Sequence, residues 1–399
     1  MFRLTNTSLH LTVSHILMRK PARALALVWQ GRTVAMAAAW LALFAYAGRP
    51  VLAGAAAAGI APAGAWTILF ALSLLPLLPF LIRRGHWTGY TTLALFSSLL
   101  VLVFLGDVVR VVYLIARWVT LAGGGQSWPM LDARMLSLAI LGTAGVLSVV
   151  GWAQAHCPRI RNVSIPIDNL PEELDGYRIV QWSDVHVGPT IRRRFVQSLV
   201  ERTNELGADA IAITGDFVDG PLAGLRDEVE PLRELRARDG IFYVTGNHEY
   251  YWQADEWCSA LQSLGLDFLK NEHRLVTRNG ATIVFAGVTD PVGRDTHKQD
   301  PVRALSGAPK EAVKVLLSHR PQTAEAASHL GVDLQLSGHT HGGQFFPFNL
   351  VIRKFQPIVA GLHRVGRLWL YVNRGTGYWG PPSRLAVGGE ITVIELRKE

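Results

Sequence analysis

The chain has 399 residues, a formal net charge of +8, 49% hydrophobic residues and only 18% charged ones, where a soluble globular protein carries roughly 25% charged. Residues 1–158 hold 11 Lys and Arg against two acids, Asp107 and Asp132, for +9, whereas residues 159–399 hold 28 basic and 29 acidic side chains, for −1. This excludes a basic nucleic-acid binder, a disordered chain and a wholly soluble one, and Cys157 and Cys258 are too few for a disulfide framework or a CxxC metal site.

The first part reads as membrane-embedded. Four apolar stretches, 34–52, 65–82, 90–115 and 135–154, approach the ~20 residues a helix needs to cross ~30 Å of hydrocarbon. Asp107 and Arg110 interrupt the third; three apart on a helix, they share a face and neutralise each other, either as an intramembrane site or as an ion pair near the interface. Pro76 and Pro79 are placed to kink the second. In the flanks, Arg3, Arg19, Lys20, Arg23, Arg32, Arg83, Arg84, Arg159 and Arg161 stand on one side against Arg49, Arg117 and Arg134 on the other. The positive-inside rule then predicts four crossings of the inner (plasma) membrane with the N-terminus and the soluble part cytoplasmic. A cleaved signal is not expected, because the first apolar run starts after residue 32 and more spans follow. The predicted organisation is a basic cytoplasmic flank (1–32), an all-α membrane bundle (33–156) and a soluble domain (157–399).

From residue 177 short β-rich runs alternate with helical patterns. Strands are predicted at 178–182, 210–214, 241–245, 282–288, 313–317, 334–336, 368–372 and 391–396, and helices at 192–206, 225–238, 254–264 and 322–330. Such alternation argues an α/β architecture, with antiparallel pairing in the strand-only tail.

Five successive strand ends carry metal-binding residue types: Ser183-Asp184-Val185-His186, Gly215-Asp216, Gly246-Asn247-His248-Glu249, Ser318-His319 and Gly338-His339-Thr340-His341-Gly342-Gly343. Each fragment alone is weak, but five in order at loop entries, where α/β folds gather their chemistry, indicate a metal centre. His273, His297, His329 and His363 lie outside these fragments and read as surface or structural.

This order of motifs (Asp-x-His, Gly-Asp, Gly-Asn-His-[Asp/Glu], His, Gly-His-x-His) resembles the calcineurin-like metallophosphoesterase superfamily over about residues 177–343. The apolar N-terminal part and the Gly375-Thr376-Gly377-Tyr378-Trp379-Gly380-Pro381-Pro382 segment resemble its bacterial membrane-anchored branch. The resemblance implies a four-layer αββα sandwich with a dinuclear site, in which Asp184, His186 and His341 bind one divalent ion, Asn247, His319 and His339 the other, and Asp216 bridges both. Two such ions ~3.5–4 Å apart activate water for direct attack and relieve charge on the phosphoryl oxygens; mixed N/O ligation suits Mn, Fe or Zn. His339 and His341, two residues apart, serve neighbouring ions only if Gly338 and Gly342-Gly343 bend the loop. His248 takes the family's substrate-facing position, for phosphate binding and leaving-group protonation, or else acts as a hydrogen-bonding support. Glu249 and Asp219 read as supporting or helix-start residues. Tyr250, Tyr251 and Trp252 either stack on a substrate or form a buried cluster.

The implied function is a membrane-anchored hydrolase of a phosphodiester or pyrophosphate, for which a lipid- or nucleotide-linked substrate is one option, with the bilayer as its other contact and neither a nucleic-acid nor a protein partner inferred. The family's protein serine/threonine phosphatases carry an arginine just after the second motif, where this chain reads Phe217-Val218-Asp219-Gly220. A phosphomonoesterase or protein phosphatase is therefore the alternative, and a membrane sensor with a non-catalytic phosphoesterase-like domain is a third reading.

Overall fold

A computed structural model describes residues 35–78, 85–126 and 128–398; the predicted N-terminal flank, and residues 79–84 with Pro79, Arg83 and Arg84, lie outside the described residues. The chain divides into two compact units, one of residues up to Leu74 with Leu99–Leu141, the other of Leu75–Ser98 with Gly142–Glu399.

The apolar part is helical: α1 (Ala35–Ala47), α2 (Arg49–Ala57), α3 (Pro62–Leu74), α4 (His86–Ala122) and α5 (Ala133–His156). Among the described residues two helices, α4 and α5, are long and apolar enough to cross a membrane, or three if α1 and α2 count as one span bent by 48°. This differs from the four predicted spans. The first stretch breaks at Gly48, where Pro50 enters the first turn of α2. In the second, α3 passes into a 3-10 turn around the buried Pro76. The third is longer than predicted and presents Val109, Val112, Ile115 and Trp118 outward, as a lipid-facing surface requires. Asp107 is not neutralised by Arg110 as expected: it pairs with Arg49 at 2.5 Å and accepts from the Tyr46 hydroxyl at 2.8 Å.

The remaining elements are β1 (Arg159–Ile167), β2 (Arg178–Trp182), α6 (Arg193–Asn204), β3 (Ala210–Ile213), α7 (Leu222–Val229), β4 (Gly240–Tyr243), α8 (Asn247–Tyr251), α9 (Ala254–Ser263), β5 (Asp267–Phe268), β6 (Glu272–Arg278), β7 (Ala281–Gly287), α10 (Pro301–Leu305), β8 (Val313–Leu317), α11 (Thr323–Ser328), β9 (Leu334–Ser337), α12 (Phe348–Val351), β10 (Gly361–Val365), β11 (Leu368–Val372) and β12 (Glu390–Lys398). They form two six-stranded mixed sheets, ordered β1-β12-β2-β3-β4-β5 and β10-β11-β9-β8-β7-β6. In the first, β2 to β5 run parallel and β12 pairs antiparallel with β2; in the second, β7, β8, β9 and β11 run parallel between the antiparallel partners β6 and β10.

Strand alternation builds the layers. Ile179, Ala210, Ala212 and Phe242 from one sheet meet Phe285, Val315, Leu317 and Tyr371 from the other, forming the core between sheets. The opposite faces carry helices: Trp182, Ile211 and Ile213 under Val196, Leu199, Trp257 and Leu261, and Val284, Ala286 and Leu316 under Ala304, Ala324 and Ala327. This is the four-layer αββα sandwich, and it brings the carboxyl ends of β2, β3 and β4 against those of β8 and β9.

Phe285 is fully buried and stacks on Phe242, with centroids 4.5 Å apart at 18°. Phe285→Ala is expected to destabilise the full chain in detergent by about 3–5 kcal/mol, whereas Leu275→Ala on the exposed side of β6 changes it by less than about 0.5 kcal/mol; chemical denaturation followed by tryptophan fluorescence distinguishes them.

Candidate metal centre

The two sheets are stitched together at their carboxyl ends by polar groups. The Gln181 side-chain amide donates to the Ser337 carbonyl at 3.0 Å, and His319 Nδ1 donates to the Thr214 carbonyl at 2.8 Å. Beyond each strand end the chain turns sharply. Asp184 (φ 52°), His186 (55°), Asp216 (51°), His339 (73°) and His341 (52°) all lie in the left-handed region, which costs a non-glycine residue about 1–3 kcal/mol and concentrates at functional sites. The expected bend between His339 and His341 thus sits in the histidines' own backbones as well as at Gly342 (φ 60°) and Gly343 (78°). Gly338 is needed for space instead, since a Cβ there would collide with Ser183 and the Asp184 carboxylate.

Three overlapping groups result: Asp184 with His186 and His341, His186 with Asp216 and His248, and Asp216 with His319 and His339, each with its ligand atoms within 4.8 Å of one another. Asp216 Oδ2 lies 3.1 Å from His319 Nε2 and 4.0 Å from both His186 Nε2 and His248 Nε2. His341 Nε2 lies 3.2 Å from Asp184 Oδ1. The rings of His186 and His341 turn nitrogens on each other at 3.0 Å, as do those of His319 and His339 at 3.2 Å. Asn247 starts α8, buried, and among the described residues neither its Oδ1 nor the buried His186 Nδ1 has a hydrogen-bond partner.

The donor set fits divalent ions. Burial, with the charge of His248, pushes His186 down to about 3, and burial with His319 pushes His339 down to about 4; burial also holds His341 well below its ordinary value. These rings are therefore neutral near physiological pH. Burial opposes the charge on Asp216, but His319, then His186 and His248, hold its carboxyl below the usual range. A carboxylate among facing imidazole nitrogens, next to an unpartnered amide oxygen, is what a cation-binding site requires.

The surrounding groups hold these side chains in place. Asp184 accepts the His339 amide at 3.0 Å and Asp216 Oδ1 the His248 amide at 2.8 Å. Glu249 supports more than a helix start: its buried carboxylate accepts four backbone amides, those of Asp216 (3.0 Å), Phe217 (2.7 Å), Val218 (3.3 Å) and Gly246 (2.6 Å). Asp219 accepts from His248 Nδ1 at 3.1 Å and from the Trp252 indole at 3.2 Å. Burial opposes the charged His248, but the Asp219 bond and the Asp216 charge raise it above its ordinary value.

Arg384 was not read from the sequence. It is fully buried and donates to the Gly377, His341 and Arg374 carbonyls, while its Nη2 lies 3.0 Å from His341 Nδ1. A guanidinium can only donate, so His341 Nδ1 accepts there. The one available signal was a single charge in the Gly/Pro-rich run 375–389. Of the other histidines, His297 bonds Asp255 (2.8 Å) and Tyr250 (3.0 Å), and His273 and His363 bond backbone carbonyls; all stand apart from the centre, as does the exposed His329.

Residues 177–343 match the family described as calcineurin-like phosphoesterase, and the chain belongs to that family. It is 39% identical over 277 residues to a transmembrane protein with metallophosphoesterase domain from Danio rerio, covering 66% of this chain and 63% of that protein's length. An uncharacterized metallophosphoesterase from Campylobacter jejuni is 32% identical over 266 residues, covering 66% of this chain and 69% of its own. Among solved structures, a 5'-nucleotidase precursor from Thermus thermophilus aligns at 17% identity over 55% of this chain and 54% of its own, with a TM-score of 0.35, too low to carry an argument.

Glu249→Ala strands four amides in a dry loop, each at a cost of about 1 kcal/mol or more. A loss of at least about 3 kcal/mol is expected on denaturation of the full chain in detergent, with a smaller loss for Glu249→Gln, which keeps one acceptor oxygen.

Proposed function

We propose that the chain is a membrane-anchored hydrolase that cleaves a phosphodiester or pyrophosphate with two divalent ions held around Asp216. The observation that carries this reading is the shared carboxylate: Asp216 belongs both to the group with His319 and His339 and to the group with His186, which links it to Asp184 and His341. Asp184, His186 and His341 with Asp216 would hold one ion, and Asn247, His319 and His339 with Asp216 the other; Mn, Fe or Zn suit this N/O set. When bound, such a pair supplies a hydroxide-like nucleophile near neutral pH and neutralises phosphoryl charge.

The chain's own groups supply the rest. Asp219 fixes the His248 ring by accepting from Nδ1, which leaves Nε2 turned toward Asp216 and the reaction space, placed to hold a phosphoryl oxygen and to protonate the departing one. Arg384 fixes the orientation of the His341 ring by donating to Nδ1, so that the neutral ring carries its proton on Nε2, facing Asp184. Directly after Asp216 the chain carries the buried Phe217 and Val218 in place of an arginine, which favours the diester reading over a protein phosphatase.

We assign residues 33–156 to the membrane part and 157–399 to catalysis. Around α4 and α5, Arg83, Arg84, Arg159 and Arg161 flank the catalytic side against Arg117 and Arg134 on the other; this charge bias supports an inner-membrane protein with a cytoplasmic catalytic domain.

With Mn²⁺ added to the full chain in detergent, a bis-aryl phosphodiester is expected to turn over faster than its monoester, with EDTA abolishing and Mn²⁺ restoring the rate. Asp216→Asn should lower both bound metal and rate by more than about 100-fold. His248→Gln should keep the metal and lower kcat by about 10²–10⁴. Turnover of the monoester alone supports the phosphomonoesterase, and a folded, metal-loaded but inert protein supports the sensor.

A further inference from the structure

The rim of the candidate centre is apolar, exposed and tied to the ends of the membrane helices. Directly after His341-Gly342-Gly343, residues 345–356 form α12 and a 3-10 turn, and expose Phe348, Leu350 (64%), Val351 and Phe355 (70%) beside Arg353 and Lys354. Four exposed apolar side chains in eight residues, next to two cations, are the composition of an element lying in a lipid–water interface rather than in water.

This segment is held rigidly to the site. A Cβ on Gly343 would run into the Asn349 backbone, so α12 packs directly on the His341 loop. Gln344 donates to the Trp379 carbonyl at 2.8 Å and accepts the Trp379 amide at 2.9 Å, and the Phe346 amide donates to the Leu385 carbonyl at 3.1 Å. Trp379, 54% exposed, stands edge-on to His248 at 5.6 Å.

The same loop leans on the apolar helices. Tyr378 meets His156 with ring centroids 5.4 Å apart, His156 lies 6.0 Å from Trp87, and the Arg384 amide donates to the Gly151 carbonyl at 3.0 Å. Trp87 and Trp152, both exposed, mark these helix ends as aromatic anchors at headgroup level. Trp379 and residues 345–356 thus belong to the one body that also carries these anchors.

We propose that residues 345–356 with Trp379 dock into the surface of the bilayer that holds the chain, and that the phosphoester is carried by an amphiphile presented from it. The second half rests on the phosphoesterase reading; the first does not. Arg353 and Lys354 fit an anionic headgroup layer, and the apolar side chains fit the acyl boundary beneath it.

Two measurements on the full chain in nanodiscs test this. In a Cys157→Ser background, a fluorophore on Leu350→Cys is expected to be quenched by lipids carrying a doxyl group near the headgroup, while one on Leu275→Cys in β6 is not. Equal quenching at both positions, or none at 350, overturns the docking. Separately, Phe348→Ser/Leu350→Ser/Phe355→Ser should lose about 10-fold on an aryl phosphodiester lipid carried in the same nanodiscs and keep its rate on the soluble bis-aryl diester, with Phe348→Leu/Phe355→Leu behaving as wild type. Equal loss on both substrates, or none on the lipid, overturns the amphiphile as substrate. A wild-type protein inert on both substrates overturns the phosphoesterase reading instead, and with it the amphiphile, while the quenching still decides the docking.

Discussion

Everything at the centre follows from having to bury imidazoles and carboxylates against one another. Asp184 and Asp216 and the rings of His186 and His319 are nearly inaccessible to water, where an unpaired charge is costly. Among the described residues protein donors compensate them only in part: His319 balances Asp216 at 3.1 Å, while His186 Nδ1 and Asn247 Oδ1 find no partner. Such a cluster stays assembled only if the backbone around it cannot relax. Left-handed conformations at Asp184, His186, Asp216, His339 and His341 show how far the chain is bent to bring these groups together, and hydrogen bonds from backbone amides to Glu249, Asp184 and Asp216 hold the bends.

The sandwich beneath makes that rigidity available. The core between the sheets is apolar and continuous, from Ile179 and Phe242 to Phe285 and Tyr371, so the strands cannot slide without opening voids. Each strand delivers one motif, and the motifs meet because the two sheets present their carboxyl ends at the same edge. Where they touch, the apolar contact gives way to polar bonds such as Gln181 to Ser337 and His319 to Thr214. These fix the separation between the Asp216 loop and the His339 loop directly.

Legibility in the sequence tracked burial. β2, β3, β8 and β9 are short, largely buried runs rich in Val, Ile, Leu and Ala, and β4 is Gly-Ile-Phe-Tyr; their ends carry the motifs, so the candidate cluster is legible from their order. The outer strands β1, β6 and β10 escaped because half-exposed edges mix charged and apolar residues: Glu272-His273-Arg274 begins β6, and Arg159-Ile160-Arg161 begins β1. The helix predicted at 225–238 is shorter and earlier because Pro231 cannot continue it, and a 3-10 turn follows. Helical spacing matches Asp107 with its neighbour Arg110, but its ion-pair partner Arg49 is 58 residues away, a pairing no local spacing encodes. Arg384 escaped for the same reason: its meaning lies in His341, 43 residues earlier.

Arg384 also shows why the end of α5 and the β-sandwich are less separable than their compositions suggest. Its side chain orders the His341 loop, while its own amide bonds the Gly151 carbonyl near the end of α5. Gly151 has no room for a side chain there, since a Cβ would collide with Ser383 and Leu385. Tyr378, one residue from the rim tryptophan, is buried against His156 in the last turn of the same helix. A chain cut after residue 156 therefore loses contacts that support the loop carrying Arg384, and through it the orientation of a candidate ligand. The last turns of α5 are in this sense part of the scaffold of the candidate centre: Gly151 and His156 support the loop from which Arg384 reaches His341.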